Sequence, residues 1–412
     1  MNFSYYRRAQ WPFRLALILI SAGMATTALS APRTPTDTAT VIERLPFRAG
    51  DRQARALAEL RESARQAPDD AGAAVALAQA YFDLALARGD PRYVGYADAV
   101  VARFGARMTP DLLLVRGSLR QYRHDFGAAL ADFAAALALD PERAGAHAWR
   151  GAIFLVEAQY AHAAQECAAL QWLQRPVLHG GCAGLLQAYT GQLAAAQATL
   201  QQALALSRDD GQRLWLLTRL GEVAAWQGQP AAAEHHYRQA LALGQDDGYL
   251  LAAWADFLLD QRRPADVAQL LSAWEASDGL LLRLAEAEAL LQRPAAAAHI
   301  QALDDRFAAA KLRGDTTHRA EEARFQLRLR KNPTLAVQLA AANYSEQKEP
   351  RDLRVLLEAA LAAKDGAAAQ AGRDGLRSSG FEDSYLRKLA AQTAQLPAAA
   401  TPAGSNKPGS TP

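Results

Sequence analysis

The feature that most constrains this chain is a period. Gly117 and Gly151 lie 34 residues apart, and so do Ala129 and Ala163. "VRGSL" is answered by "WRGAI", and "DFGAALADF" by "QYAHAAQEC". With that spacing as a ruler, small residues recur at Ala78, Gly117, Gly151, Gly184, Gly221 and Ala255. About twelve residues further on comes a second set, Ala129, Ala163, Ala196 and Ala233. Four residues later stand Phe133, Cys167, Leu200 and Tyr237, and three after those Ala136, Leu170, Ala203 and Ala240. Each unit thus reads as two helices. The small residues let the two approach closely, and the larger residue fills the wedge toward the next unit. A unit built this way cannot bury its apolar face alone, so units must stack. Pro141, closing "ALALDP", stops one second helix.

This pattern resembles the tetratricopeptide repeat, a helix-turn-helix of 34 residues. Residues 110–143 carry the likeness best, keeping Gly117, Ala129, Phe133, Ala136 and Pro141. They depart from it where Arg116 and Arg120 replace the usual leucine and tyrosine. The resemblance implies an all-α, right-handed superhelical solenoid of antiparallel helix pairs, about eight to nine pairs plus a capping helix. Composition agrees. Half the residues are apolar and only 8% aromatic, and alanine is abundant, which favours closely packed helices. Alternating β-branched runs are almost absent. The repeat is clear over 71–271 and drifts afterwards, so residues 51–271 read as the solenoid and 272–396 as degenerate helical repeats with a cap. Helices are expected at 51–67, 278–291, 294–313, 316–330, 333–346, 350–363, 366–379 and 382–395. Breakers at Pro294, Gly314, Pro333, Pro350 and Gly366 separate the later ones.

The two ends read differently. Arg7, Arg8 and Arg14 precede the apolar run "LALILISAGMATTALSA". Its strongly apolar part, Leu15 to Ala28, is short for a membrane span and fits a signal peptide over residues 1–30, cut near Ser30. An uncleaved anchor is the alternative. Either way the body is expected to be exported, periplasmic or held at the inner membrane facing the periplasm, and to meet a membrane only through this segment. Residues 31–50 read as a linker, and 397–412, "PAAATPAGSNKPGSTP", as a disordered tail. The chain resembles exported bacterial repeat proteins of this kind, which brings a fold and no activity.

No motif of catalysis or phosphate binding is present: there is no glycine-rich phosphate loop, no HExxH and no GxSxG. Net charge is +2, from 45 basic and 43 acidic residues, so nothing draws the chain to nucleic acid. Adjacent His235 and His236 diverge by about 100° on a helix and read as solvated. His162, Cys167, His179 and Cys182 are faintly like a zinc site, but His162 and Cys167 fall about 140° apart on one helix. Cys167 and Cys182 are the only two cysteines. In an exported chain a disulfide between neighbouring helices is the simpler reading, with two buried thiols as the alternative. The charged stretch "KLRGDTTHRAEEARF", Lys311 to Phe325, reads as a helix start capped by Asp315 or Thr316. The other reading is a polar site made of Arg313, Asp315, His318, Glu321, Glu322 and Arg324.

The expected function is a non-enzymatic scaffold for protein–protein interaction, without metal or cofactor, binding a protein or peptide in the concave groove. The family's inward-facing positions fall on Phe82, Asp83, Gln121, Tyr122, Leu155, Tyr189, Trp215, Glu222, Trp226, Tyr249, Asp256 and Asp260. Among these, Trp215, Trp226 and Tyr249 are expected to form an exposed aromatic strip flanked by Glu222 and Asp256. Such a strip suits a segment with apolar anchors and a Lys or Arg. A role as an assembly factor in envelope polysaccharide export, with the aromatics stacking on sugars, is the alternative, and an enzyme subunit the third reading.

Overall fold

The structure is a computed structural model that describes Asp37 and residues 51–396. The expected signal peptide, most of the linker and the tail lie outside the described residues. Twenty helices occupy the described residues, with no strand among them. The first is α1 (Arg52–Gln66), which packs on α2. Pairs follow: α2 (Ala71–Arg88) with α3 (Arg92–Ala102), α4 (Pro110–Tyr122) with α5 (Phe126–Leu139), α6 (Ala144–Val156) with α7 (Tyr160–Trp172), and α8 (Pro176–Tyr189) with α9 (Leu193–Leu206). Next come α10 (Asp210–Trp226) with α11 (Pro230–Leu241), α12 (Gly248–Asp260) with α13 (Pro264–Leu270), and α14 (Asp278–Leu290) with α15 (Ala295–Leu312). The last helices are α16 (Arg319–Arg328), α17 (Pro333–Glu346), α18 (Pro350–Ala363), α19 (Gln370–Ser379) and α20 (Ser384–Ala394).

One turn joins most pairs. A residue in the left-handed region ends the first helix, and the next amide reaches back five residues, closing the last turn. His124, Ala158, Gly191, Gly228, Arg262 and Gln292 hold that conformation. The matching bonds run from Asp125 N to Arg120 O, Gln159 N to Phe154 O and Gln192 N to Gln187 O, and onward through Arg293 N to Glu288 O. Chain reversal over three residues makes each pair antiparallel.

The repeat spacing is realised as contact between small and large residues. A Cβ on Gly117 would lie 2.5 Å from the Phe133 ring, one on Gly184 2.6 Å from Leu200, and one on Gly221 2.8 Å from the Tyr237 ring. Phe133, Leu200 and Tyr237 are all buried, as are Ala129, Ala196 and Ala233. First helices of successive units stack on one another: α2 on α4, α4 on α6, and so on through α14 on α16. This inner row is the concave wall. Its curvature brings α2 against α12, close enough that a Cβ on Gly248 would lie 3.1 Å from Leu86 O.

Two arginines that break the repeat consensus have a job. Arg116 Nε and Nη2 donate to Asp132 Oδ2 and Oδ1 at 3.0 and 2.7 Å, and Arg120 Nη1 sits 2.8 Å from the same carboxylate. One unit later Arg150 and His147 hold Glu166 at 2.7 and 2.6 Å. Both carboxylates are buried, so each pair clamps its two helices through charge rather than through a leucine and a tyrosine. Cys167 and Cys182 are disulfide-bonded, tying α7 to α8 of the next unit. His179 Nδ1 lies 2.9 Å from Cys167 O and His162 Nδ1 3.0 Å from Gln159 Oε1. Of the two adjacent histidines, His235 is exposed, but His236 is half-buried and its pKa is lowered by that burial, so only one is solvated.

Candidate interaction groove

The concave wall is not open. From α6 to α12 it is covered by the chain's own α16–α20, the next turn of the same stack. Leu155, Leu185, Tyr189 and Leu216 share one apolar cluster with Val337, Leu353, Leu356, Phe381 and Leu386. The residues expected to await a partner therefore already have partners, and the physical reason is curvature. A stack that winds tightly enough to bring α2 onto α12 leaves no empty groove once helices continue past α14.

Three of the expected residues converge in one cluster. The Tyr249 hydroxyl donates to Glu222 Oε1 at 2.7 Å, and Arg219 Nη1 donates to Glu222 Oε2 at 2.9 Å. The Arg219 guanidinium lies 4.2 Å from the centre of the Tyr249 ring, and that of Arg351, from α18, lies 5.5 Å from it. Tyr189 Oη donates to Glu349 Oε1 at 3.2 Å, and Arg351 Nη2 donates to Glu349 Oε2 at 2.8 Å. Burial pushes the Tyr249 hydroxyl well above its usual range, against the pull of Arg219.

Asp256 and Asp260 are engaged from further along the chain. Arg283 grips Asp256 with Nε and Nη2 at 2.8 and 2.7 Å, and Arg324 Nη1 adds a third bond at 2.6 Å. Arg324 also grips Glu286 at 2.6 and 2.9 Å. Burial alone would raise the Asp256 pKa, yet the two guanidiniums hold it well below the ordinary carboxylate range. Arg354 of α18 grips Asp260 at 2.7 and 2.6 Å.

The aromatic strip does not form as one surface. Trp226 packs against Phe381, with ring centres 5.2 Å apart, and against Tyr189 at 6.1 Å. It is half-buried in this aromatic notch rather than exposed. Trp215 turns back onto α8, where a Cβ on Gly181 would lie 2.7 Å from its ring, and stays 37% exposed. Arg219 connects it to Tyr249, lying 5.4 Å from the Trp215 ring centre. The eleven residues between Trp215 and Trp226, about three turns of α10, bring the two to one side of the helix, but different neighbours meet the two ends.

The remaining positions divide. Phe82 is buried against Tyr122 and Trp149, ring centres 6.2 and 6.3 Å away, whereas Leu155 is buried in the cluster it shares with the later helices. Asp83 is exposed and accepts from Gln79 Nε2 at 2.8 Å. Gln121 and Tyr122 are half-buried, and burial pushes the Tyr122 hydroxyl up to about 12. In the charged stretch, α16 starts at Arg319 and neither Asp315 nor Thr316 is its N-cap. Asp315 instead accepts from Thr317 N at 3.0 Å in the preceding turn. Arg324 is the member that sequence reading undervalued.

The elbow before α18 locks the later helices to the wall. Lys348 N donates to Val156 O at 2.7 Å, and Gln347 Nε2 lies 3.0 Å from His124 Nδ1. Glu349 and Asp352 form a reciprocal capping box, and Asn343 Nδ2 donates to Asp352 Oδ1 at 2.9 Å. Burial, with Glu349 and Glu321 nearby, pushes the Asp352 carboxyl up to about 7 against the pull of Arg351. The native state thus keeps a proton that an unfolded aspartate releases near pH 4. Stability from this group is present at acid pH and is lost as pH rises toward and through 7, with a slope of up to about 1.4 kcal/mol per pH unit. Chemical denaturation between pH 5 and 8 should show that fall, and Asp352→Asn should flatten it. An unchanged slope in the variant would place the proton elsewhere.

No protein-family model matches the chain, and no curated protein does. Among solved structures, a tetratricopeptide repeat protein from Parabacteroides merdae is 17% identical, over 57% of this chain and 91% of that one, at a TM-score of 0.40. The human IFIT1 dimer with m7Gppp-AAAA is 14% identical, over 84% and 87%, at 0.45. The APC/C hetero-tetramer Cut9-Hcn1 is 17% identical, over 75% of this chain and 52% of that one, at 0.38. Similarity at this level carries no argument about what the chain binds. By its helix pairs, its 34-residue spacing and its small-to-large contacts, the chain has the tetratricopeptide-like fold of an all-α helical repeat.

Proposed function

We propose that this chain is a non-enzymatic protein-interaction scaffold exported to the cell envelope. The observation that carries the reading is the chemistry of the concave wall. It grips helices by forked carboxylate–guanidinium pairs, as Asp260 grips Arg354, and by an aromatic notch, as Tyr189 and Trp226 receive Phe381. Forked charge-assisted pairs and buried aromatic anchors are general means of protein recognition, here turned on the chain itself. Export is supported by the Cys167–Cys182 disulfide, since such bonds persist in oxidising compartments. No helix among the described residues is long and apolar enough to cross a membrane. The polysaccharide reading gains little, because two of its three stacking aromatics, Trp226 and Tyr249, are engaged by the chain's own Phe381 and by Arg219 and Arg351.

Crosslinking in intact cells, followed by purification of the full chain from the envelope fraction, tests the proposal. A protein recovered in fixed ratio that rebinds the purified chain is expected. Binding to envelope glycan alone would replace this reading with the polysaccharide one.

A further inference from the structure

We propose that the notch made by Tyr189, Trp226 and the Leu193 amide is a recognition subsite for an aromatic residue followed by an acidic one, held in cis by Phe381 and Glu382 until a partner bearing the same pair replaces them. This rests on the scaffold reading and names the partner's chemistry.

The occupant shows what the subsite reads. Phe381, in the strap between α19 and α20, is 3% exposed. Its ring meets Trp226 edge-on at 75° and Tyr189 at 85°. Such arrangements favour an aromatic over an aliphatic side chain. Glu382 Oε2 accepts a hydrogen bond from Leu193 N at 2.9 Å. Leu193 opens α9, whose own N-cap residue, Gln192, makes no capping bond. The first amides of a helix need acceptors, and the helix dipole favours a negative one. Glu382 supplies from a distant part of the chain what the local sequence lacks. The order of the two residues is thereby read: ring into the notch, carboxylate onto the helix end.

The strap is held from its own side as well. Arg387 Nε and Nη2 donate to Phe381 O and Gly380 O at 3.0 and 3.1 Å. The pair is therefore presented by α20 as a ready-shaped ligand. On the notch side the backbone approach is close: a Cβ on Gly191 would lie 2.5 Å from Gly380 O. A tethered ligand outcompetes a free one through its high effective concentration. A free segment with the same pair therefore competes poorly, and a productive partner must add contacts elsewhere.

Gly191→Ala tests this, because its new methyl group strikes the strap and leaves the walls of the notch intact. Both Gly191 and Gly228 are left-handed, with φ of 76° and 70°, but a Cβ on Gly228 would meet nothing within 4 Å. Gly228→Ala therefore repeats the backbone strain without touching the strap. The probe is a fluorescent octapeptide of the strap sequence, SGFEDSYL (Ser379 to Leu386), measured by anisotropy against the full chain. Gly191→Ala should bind it at least about tenfold more tightly than wild type or Gly228→Ala. A peptide with alanine for its phenylalanine should lose the gain. Equal binding by two folded variants would overturn the proposal. So would unfolding of Gly191→Ala alone, which would make the strap an inseparable part of the core. An envelope partner captured by crosslinking while the peptide fails would leave the scaffold reading intact and remove this one.

Discussion

Replacing Arg324 by methionine is expected to lower the unfolding free energy by about 3 to 5 kcal/mol. Arg324 stands between two carboxylates from different helices, Asp256 of α12 and Glu286 of α14, and bonds both. Glu286 is buried, and Asp256 keeps Arg283 as its other partner. Methionine retains much of the packing volume but leaves Glu286 without a counter-charge. The cost of an uncompensated buried carboxylate exceeds what the intact pair contributes, which is why removing one partner is severe. A loss below about 1 kcal/mol, typical of surface pairs, would mean that α16 does not sit against α12 and α14.

The second large effect belongs to the repeat itself. Phe133→Ala should cost about 3 to 5 kcal/mol, the range for truncating a buried aromatic. The ring is fully buried, lies over Gly117 and stacks with Trp149 at 2° between planes. Leu139, six residues later in the same helix, is 62% exposed, and Leu139→Ala should change stability by no more than about 0.5 kcal/mol. Equal effects of the two, measured by denaturant melts, would remove Phe133 from the wedge between units.

Helix pairs, and even the ends of α17 and α18, were legible in the sequence because they are local. Pro333 and Pro350 begin those helices where expected, and α1 falls within one residue of its expected bounds at either end. The disulfide was legible too, since neighbouring helices of adjacent units carry its two cysteines. The groove was not. Tyr189, Tyr249, Asp256 and Asp260 meet Glu349, Arg351, Arg324 and Arg354 of the later helices. What occupies the space depends on accumulated curvature over many units, which no single unit encodes. Phe82 is buried by its neighbours Tyr122 and Trp149, and Leu155 by the later helices.

One further signal of the repeat lies in its charged residues. Arg116 and Arg150 are 34 residues apart, and so are Asp132 and Glu166. Departures from consensus that repeat with the period are paired substitutions, here a charged clamp in place of an apolar one. Arg324 had no such signal. Its partners lie 68 and 38 residues away on other helices, and only the winding brings them together.

The central claim is that the chain's own later helices occupy its concave wall in solution. The most direct test is a double-mutant cycle on Asp260 and Arg354, which are 94 residues apart and form a forked pair of hydrogen bonds at 2.7 and 2.6 Å. Both side chains are partly exposed, so each single variant, Asp260→Asn and Arg354→Gln, should fold. If α18 lies on the wall, the cycle should return a coupling energy of about 1 kcal/mol, falling with added salt. Strictly additive effects of the two substitutions would contradict it and return the groove to a partner.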